Sequence, residues 1–324
     1  VSRWLAASAG ALLLAGCKET GTDPFLLQGA EAAPAVRAAW TEYQHPERVT
    51  ITGYDDDAME PFISPDGATL FFNNNNQPPE QTELHYATRV TDTMFAYQGT
   101  LFGANAPAAL DGVASVDERG RFYFTSTRSW DPLNGKTQTI FSGLLNGGAV
   151  REVQELPGDT APQERGWINM DAVIEPGGNL LLIGRAMFTR PNSLPAKTQM
   201  RIAQRTATGA FLLQPQLDPM VAALEDFHAH GAITYAPAVS YDGLELYITV
   251  LYPKVPWRGF RIFRLSRNNV DEPFQFPEPI DAAHQGSKPP YVEAPTITKD
   301  GRRLYYHQRD GEQFVLYTVS RTMR

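Results

Sequence analysis

Along this chain, short apolar runs are separated by polar turns, and one such block recurs five times. Its copies are EPFISPDGATLFF from Glu60, DGVASVDERGRFYF from Asp111, DAVIEPGGNLLLI from Asp171, APAVSYDGLELYI from Ala236 and APTITKDGRRLYY from Ala294. Their turn glycines, Gly67, Gly120, Gly178, Gly243 and Gly301, are 53, 58, 65 and 58 residues apart. Spacing this regular marks a repeat architecture. Each copy reads as strand, tight turn, strand: in Pro65-Asp66-Gly67 the proline presets φ, the aspartate bonds its own backbone, and the glycine accepts a positive φ. Asp242-Gly243 and Asp300-Gly301 repeat that chemistry. The runs after the turns (Leu70-Phe71-Phe72, Phe122-Tyr123-Phe124, Leu181-Leu182-Ile183, Leu246-Tyr247-Ile248, Leu304-Tyr305-Tyr306) are apolar at every position. A strand without alternation is covered on both faces.

A third strand is predicted at 83–86, 139–142, 200–203, 261–264 and 314–317. A more polar fourth follows near 95–101, 150–156, 211–217 and 274–280, and the fifth copy ends without one. Upstream, the lone segment His45-Pro46-Glu47-Arg48-Val49-Thr50-Ile51 echoes Phe276-Pro277-Glu278-Pro279-Ile280 and is expected to complete the last sheet. Four-stranded units repeated radially make a propeller. The expected fold is all-β: a five-bladed β-propeller of four-stranded antiparallel blades over residues 40–324, closed by an N-terminal strand. The SPDG turn followed by an aromatic strand resembles the WD-repeat-like propeller family typified by TolB. The first copy matches closely and the fourth and fifth well. The second, with Val116 for Pro, and the third, Glu175-Pro176-Gly177-Gly178, depart from the pattern. The resemblance implies the fold and carries no activity or partner with it.

Composition adds location. With 36 acidic against 28 Lys and Arg residues, a net charge of −8 leaves no basic footprint for nucleic acid. The one cysteine in 324 residues allows no internal disulfide and no Cys-based zinc cluster. It ends an apolar run from Trp4 to Gly16 that is too short to span a membrane and fits a signal-peptide core. Leu14-Ala15-Gly16-Cys17 resembles a bacterial lipobox, which implies a signal peptide at 1–16 and lipidation of Cys17. Residues 17–39 then read as a tether. An exported lipoprotein is expected, attached to the membrane through Cys17, with the outer membrane favoured by Lys18.

Propeller topology puts the SPDG turns on one face, and the start of each first strand and the end of each second strand on the other. Counting back six residues from Asp66, Asp117 and Gly177 places Glu60, Asp111 and Asp171 at equivalent first-strand starts. Ala236 and Ala294 hold those places in the last two blades, preceded by Tyr235 and Glu293. The ends of the second strands and the blade entrances add Arg128, Trp130, Trp167, Arg185, Trp257 and His307 to this acidic, aromatic-rimmed face. The run Asn73–Asn76 reads as a polar loop. His228 and His230 are spaced to share one side of a strand as metal ligands, but with only one such pair the loop reading is favoured. No GxSxG, HExxH, P-loop or dinucleotide fingerprint occurs in its required context.

The expected function is a lipid-anchored envelope module that binds a protein, peptide or glycan through this face. Two alternatives stand beside it. Five-bladed glycan-active hydrolases carry three inward carboxylates on successive blades, which Glu60, Asp111 and Asp171 resemble in count and order. An acidic channel also suits Ca²⁺, structurally or in a lactonase-like hydrolase.

Overall fold

A computed structural model describes residues 39–190, 193–285 and 290–324. The signal segment, Cys17 and nearly all of the tether lie outside the described residues. Five sheets form the blades of an all-β propeller. Blade 1 holds β3 (Met59–Ile63), β4 (Thr69–Asn73), β5 (Leu84–Arg89) and β6 (Met94–Thr100). Blade 2 holds β7 (Asp111–Val116), β8 (Arg121–Ser126), β9 (Ile140–Asn146) and β10 (Ala149–Glu155). Blade 3 holds β11 (Trp167–Ile174), β12 (Leu180–Met187), β13 (Lys197–Arg205) and the short β14 (Phe211–Leu213). Blade 4 holds β15 (Ile233–Val239), β16 (Glu245–Leu251), β17 (Phe260–Ser266) and β18 (Gln275–Pro279), and blade 5 holds β19 (Val292–Ile297), β20 (Arg303–Asp310) and β21 (Gln313–Ser320).

The continuously apolar second strands explain the ring. In each, the middle residue packs toward the next blade and its two neighbours toward the previous one. Phe71 meets Phe122 and Phe124, Tyr123 meets Ile174 and Ile183, and Leu182 meets Leu246 and Ile248. Tyr247 meets Leu304 and Tyr306, and Tyr305 returns to Leu70 and Phe72 of blade 1. Phe72, Phe122, Phe124, Tyr123, Tyr305 and Tyr306 are fully buried. Each such side chain contributes roughly 1.5–3 kcal/mol by leaving water, so the five clusters together form one closed core.

Closure differs from the expected single strand. The segment divides at Val49: β1 (Gln44–Arg48) pairs antiparallel with β21, while β2 (Thr50–Thr52) pairs parallel with β6 of blade 1. Val49 is buried between them and its N–H donates to Leu316 O. One stretch of chain thus completes the last blade and adds a fifth strand to the first. Other boundaries also shift. After Leu213, a 3₁₀ turn at Pro215–Val221 replaces the expected continuation of the outer strand, because proline removes ladder donors. His228 lies on a short helix, α1 (Leu224–Ala229), where Nε2 contacts the hydroxyls of Thr198 and Thr234. Among the described residues no group of three or more His, Cys, Asp or Glu side chains is placed to hold a metal ion.

Candidate functional site

The inner strands define the site. In β3, β7, β15 and β19 a bulge interrupts pairing with the second strand, and its first residue has a positive φ: Glu60, Val113, Ala236 and Ala294 at 48–55°. Such φ values are uncommon outside glycine, and bulges re-aim side chains near functional sites. The turns set the equivalences. Ser64, Ser240 and Thr298 give their hydroxyl to Asp66, Asp242 and Asp300, and the same three aspartates accept the N–H of Ala68, Leu244 and Arg302. In the two divergent copies, Asp117 and Glu175 occupy the Ser/Thr place and accept backbone N–H groups directly, from Arg119 and Arg121 and from Gly177 and Asn179.

This corrects the position of Asp111. Because Asp117 stands at the Ser place, four residues after the bulge position, the residue equivalent to Glu60 in blade 2 is Val113. Asp111 lies two residues earlier and turns away: its carboxylate accepts from Arg128 Nη2 at 2.6 Å and from the N–H of Ala106 at 2.7 Å. Arg128 also lies over the rings of Phe124 and Phe141. Burial raises the Asp111 pKa, with Ser126, Arg128 and Ala106 opposing it. Asp171, with Glu175 at its Ser place, is correctly aligned.

Glu60, Asp171, Tyr235 and Glu293 come together. They line one cavity of about 70 Å³ with Asn76, Phe188 and Phe260. Glu60 and Asp171 also border the narrower channel on the turn side. Every carboxyl group already has a protein donor. Asn76 Nδ2 donates to Glu60 Oε1 at 3.0 Å and Ala236 N–H to Asp171 Oδ2 at 3.0 Å. Tyr235 OH donates to Glu293 Oε1 at 2.6 Å, while Glu293 Oε2 lies 3.0 Å from His307 Nε2. The other nitrogen of His307, Nδ1, accepts the N–H of Glu60 at 3.1 Å, which places the ring proton on Nε2, facing Glu293.

The electrostatics follow from enclosure. Burial, reinforced by the charge of Asp171, lifts Glu60 to about 7; His307 and Asn76 oppose it and Glu293 adds to it. Burial likewise lifts Asp171 to about 7 against the Ala236 N–H, with Glu293 adding to the rise. Tyr235 is held well above its ordinary value by burial and by Glu293.

The remaining predicted residues have other surroundings. Arg185 is buried and donates to Asn169 Oδ1 and Thr160 O; burial and then Arg201 lower its pKa to about 10. Trp130 packs against a small cluster of Ile168, Ala186 and Phe188. Trp167 is partly buried at the start of β11, opposite Met187. Trp257, in the turn Pro256–Arg258, is 61% exposed, an open ring on the cavity face. The second-strand exit places Asn73 and Asn76 on this face, as the sequence implied, but both are buried rather than a solvated polar loop. Sequence reasoning missed Phe188 and Phe260, which carry no local signal of facing the axis.

The fold and this axial cavity define the protein as a five-bladed β-propeller with a carboxyl-lined mouth. No protein-family profile and no curated protein matches the sequence. Solved structures do. A complex of BT0996 with RGII aligns over 87% of this protein and 92% of that one, at 11% identity and a TM-score of 0.57. An endo-arabinase from Bacteroides thetaiotaomicron aligns over 85% and 97%, at 15% identity and 0.50. TolB from Acinetobacter baumannii aligns over 83% of this protein and 56% of that one, at 11% identity and 0.44. At these identities the likeness is one of fold.

Proposed function

We propose that this protein is a glycan-binding propeller of the bacterial envelope, held to the membrane through a lipidated Cys17, with its ligand seat at the mouth formed by Glu60, Asp171, Tyr235 and Glu293. The observation that carries the reading is convergence. Three carboxyl groups, an amide and a phenol from four blades meet in one cavity beside the rings of Phe188 and Phe260, and exposed Trp257 stands on the same face. Sugars present hydroxyl donors on their rims and apolar C–H faces, and sites of this composition match both. The likeness of fold to an endo-arabinase supports glycan as the ligand class. The test is calorimetry of the purified protein against a panel of plant and bacterial oligosaccharides. Asp171→Asn and Tyr235→Phe should each weaken binding about tenfold, the cost of roughly one hydrogen bond to a charged or buried group. A ligand bound equally well by the double variant would place its seat elsewhere.

A hydrolase reading has one observation in its favour: Glu60 and Asp171 are both lifted to about 7, so at neutral pH the pair can supply an acid and a base. Release of reducing ends from the same panel, abolished by either Glu60→Gln or Asp171→Asn, separates cleavage from binding.

A further inference from the structure

Behind the mouth, three side chains form a hydrogen-bonded chain. Asn76 Nδ2 donates to Glu60 Oε1 at 3.0 Å, and Asn73 Nδ2 donates to Asn76 Oδ1 at 2.9 Å. Asn73 Nδ2 also donates to Asn74 O at 2.9 Å. These bonds fix both amides, since turning either one would set oxygen against oxygen. Asn73 is fully buried, yet its Oδ1 has no hydrogen-bond partner among the described residues. A buried acceptor left bare costs about 1–3 kcal/mol, and native interiors rarely leave one so.

The free oxygen of Glu60 points to the same place. A side-chain carbon on Gly112 would stand 3.2 Å from Asn73 Oδ1 and 3.3 Å from Glu60 Oε2. Both oxygens therefore close over one point above the bare glycine. Glycine leaves them that space, and among the described residues no donor is bonded to Asn73 Oδ1.

The geometry points to an acidic proton on Glu60 Oε2, shared with Asn73 Oδ1, that closes the ring Glu60–Asn76–Asn73. Glu60 is then a neutral, proton-holding carboxyl of the mouth. Asn73 is a positioning residue that sets how firmly Glu60 keeps its proton. The groups facing Glu60 agree with this protonation. Asp171 on β11 and Glu293 on β19 bring negative charge toward it. His307 on β20 presents Nδ1 as an acceptor to the Glu60 N–H, and Asp111 on β7 is turned to Arg128. The lifted pKa of Glu60 has the direction this ring requires. When the proton leaves, two acceptor oxygens face each other, so the ring opens and the mouth gains a charge. The ring is built from these hydrogen bonds alone and needs no ligand.

The test is infrared difference spectroscopy of the whole protein, wild type minus Glu60→Gln, from about pH 5 to about pH 9, following the carbonyl stretch of a protonated carboxylic acid. Glu60→Gln supplies an amide donor where the acid proton sits, so it should fold and keep the ring closed. The wild type should show the acid band at about pH 6, with a midpoint near neutrality. Removing the acceptor in Asn73→Ala should lower that midpoint by about one unit, and Asn73→Asp should raise it. Absence of the band at about pH 6 would overturn the proposal, as would a midpoint unmoved by both Asn73 variants. Absence of the band in the wild type overturns the proposal even if an Asn73 variant does not fold, and its presence is assigned to the shared proton only by the shift in the Asn73 variants.

Discussion

The backbone N–H of Glu60 donates to Nδ1 of His307 at 3.1 Å, joining the first blade to the last across the seam where the ring closes. Because an N–H can only donate, the bond sets the histidine tautomer, and the Nε2 proton is directed at Glu293. His307 and Glu293 are both buried. One ring therefore holds a closure contact and a site carboxylate at once.

Replacing His307 by Ala should cost about 2–4 kcal/mol, since it leaves a buried N–H unpaired and a buried carboxylate with Tyr235 as its remaining side-chain donor. Urea unfolding monitored by tryptophan fluorescence measures the loss. A change below about 0.5 kcal/mol, the size of an ordinary surface substitution, would mean that the seam does not depend on this pair.

Stability should fall with rising pH through the weakly acidic range. Glu60 and Asp171 are lifted to about 7 when folded, while in the unfolded chain they titrate at about 4. Between these values the native state binds the extra protons. Stability contributed by the pair is thus full below about pH 4 and is lost as pH rises through about 7. Relative to the Glu60→Gln, Asp171→Asn double variant, the wild type should lose roughly 2–4 kcal/mol across that window. Urea melts of both proteins at four pH values give the difference directly, and curves that run parallel would refute it.

How far the sequence revealed this architecture depends on where the information lies. The apolar triplets such as Leu70-Phe71-Phe72 were legible because a residue buried toward either neighbouring blade must be apolar, whatever its partner. The turn aspartates were legible because their bonds are local. Asp111 was misplaced because a count from the turn assumes one turn geometry, whereas Asp117 takes over the role of Ser64 and moves the frame by two residues. The burial of Asn73 and Asn76 has no local signature, since it depends on Glu60 arriving from another strand. Val49 divides the N-terminal strand only because Leu316 lies opposite it, a tertiary fact.

A second lock lies at the chain ends. Arg321 grips Glu245 with both terminal nitrogens, one at 2.7 Å, and its guanidinium stacks on Trp40 and Tyr43. Arg264 approaches the same carboxylate at 3.5 Å. All three charged groups are buried. Glu245→Gln removes the charge that compensates Arg321, whereas Arg264 keeps Glu278 at 2.5 Å, and should destabilise by about 3–5 kcal/mol. It should also release the N-terminal segment, so limited proteolysis near Tyr43 should accelerate in step with the loss. Intact protection there, despite the lost stability, would show that the ends are held by β1 alone.

The sharpest division among the site carboxylates is between Asp111 and Asp171. A three-carboxylate hydrolase needs both facing the substrate, whereas here Asp111 is saturated by Arg128 and Ala106 and Val113 takes the cavity position. Asp111→Asn should therefore cost about 1–3 kcal/mol of stability, through the lost charge-assisted bond to Arg128, and leave glycan affinity within about twofold, well under one hydrogen bond's worth. Asp171→Asn should do the reverse. Its bond to Ala236 survives because an amide oxygen still accepts, so folding is kept, and relief of a buried charge makes the variant at least as stable above about pH 7. Its ligand affinity should fall about tenfold, by the loss of a charged acceptor. Measuring melting temperature and affinity on the same two proteins decides the matter: if Asp111→Asn abolishes binding while fully folded, the blade-2 carboxylate faces the ligand and the mouth of Glu60, Asp171 and Glu293 is wrong.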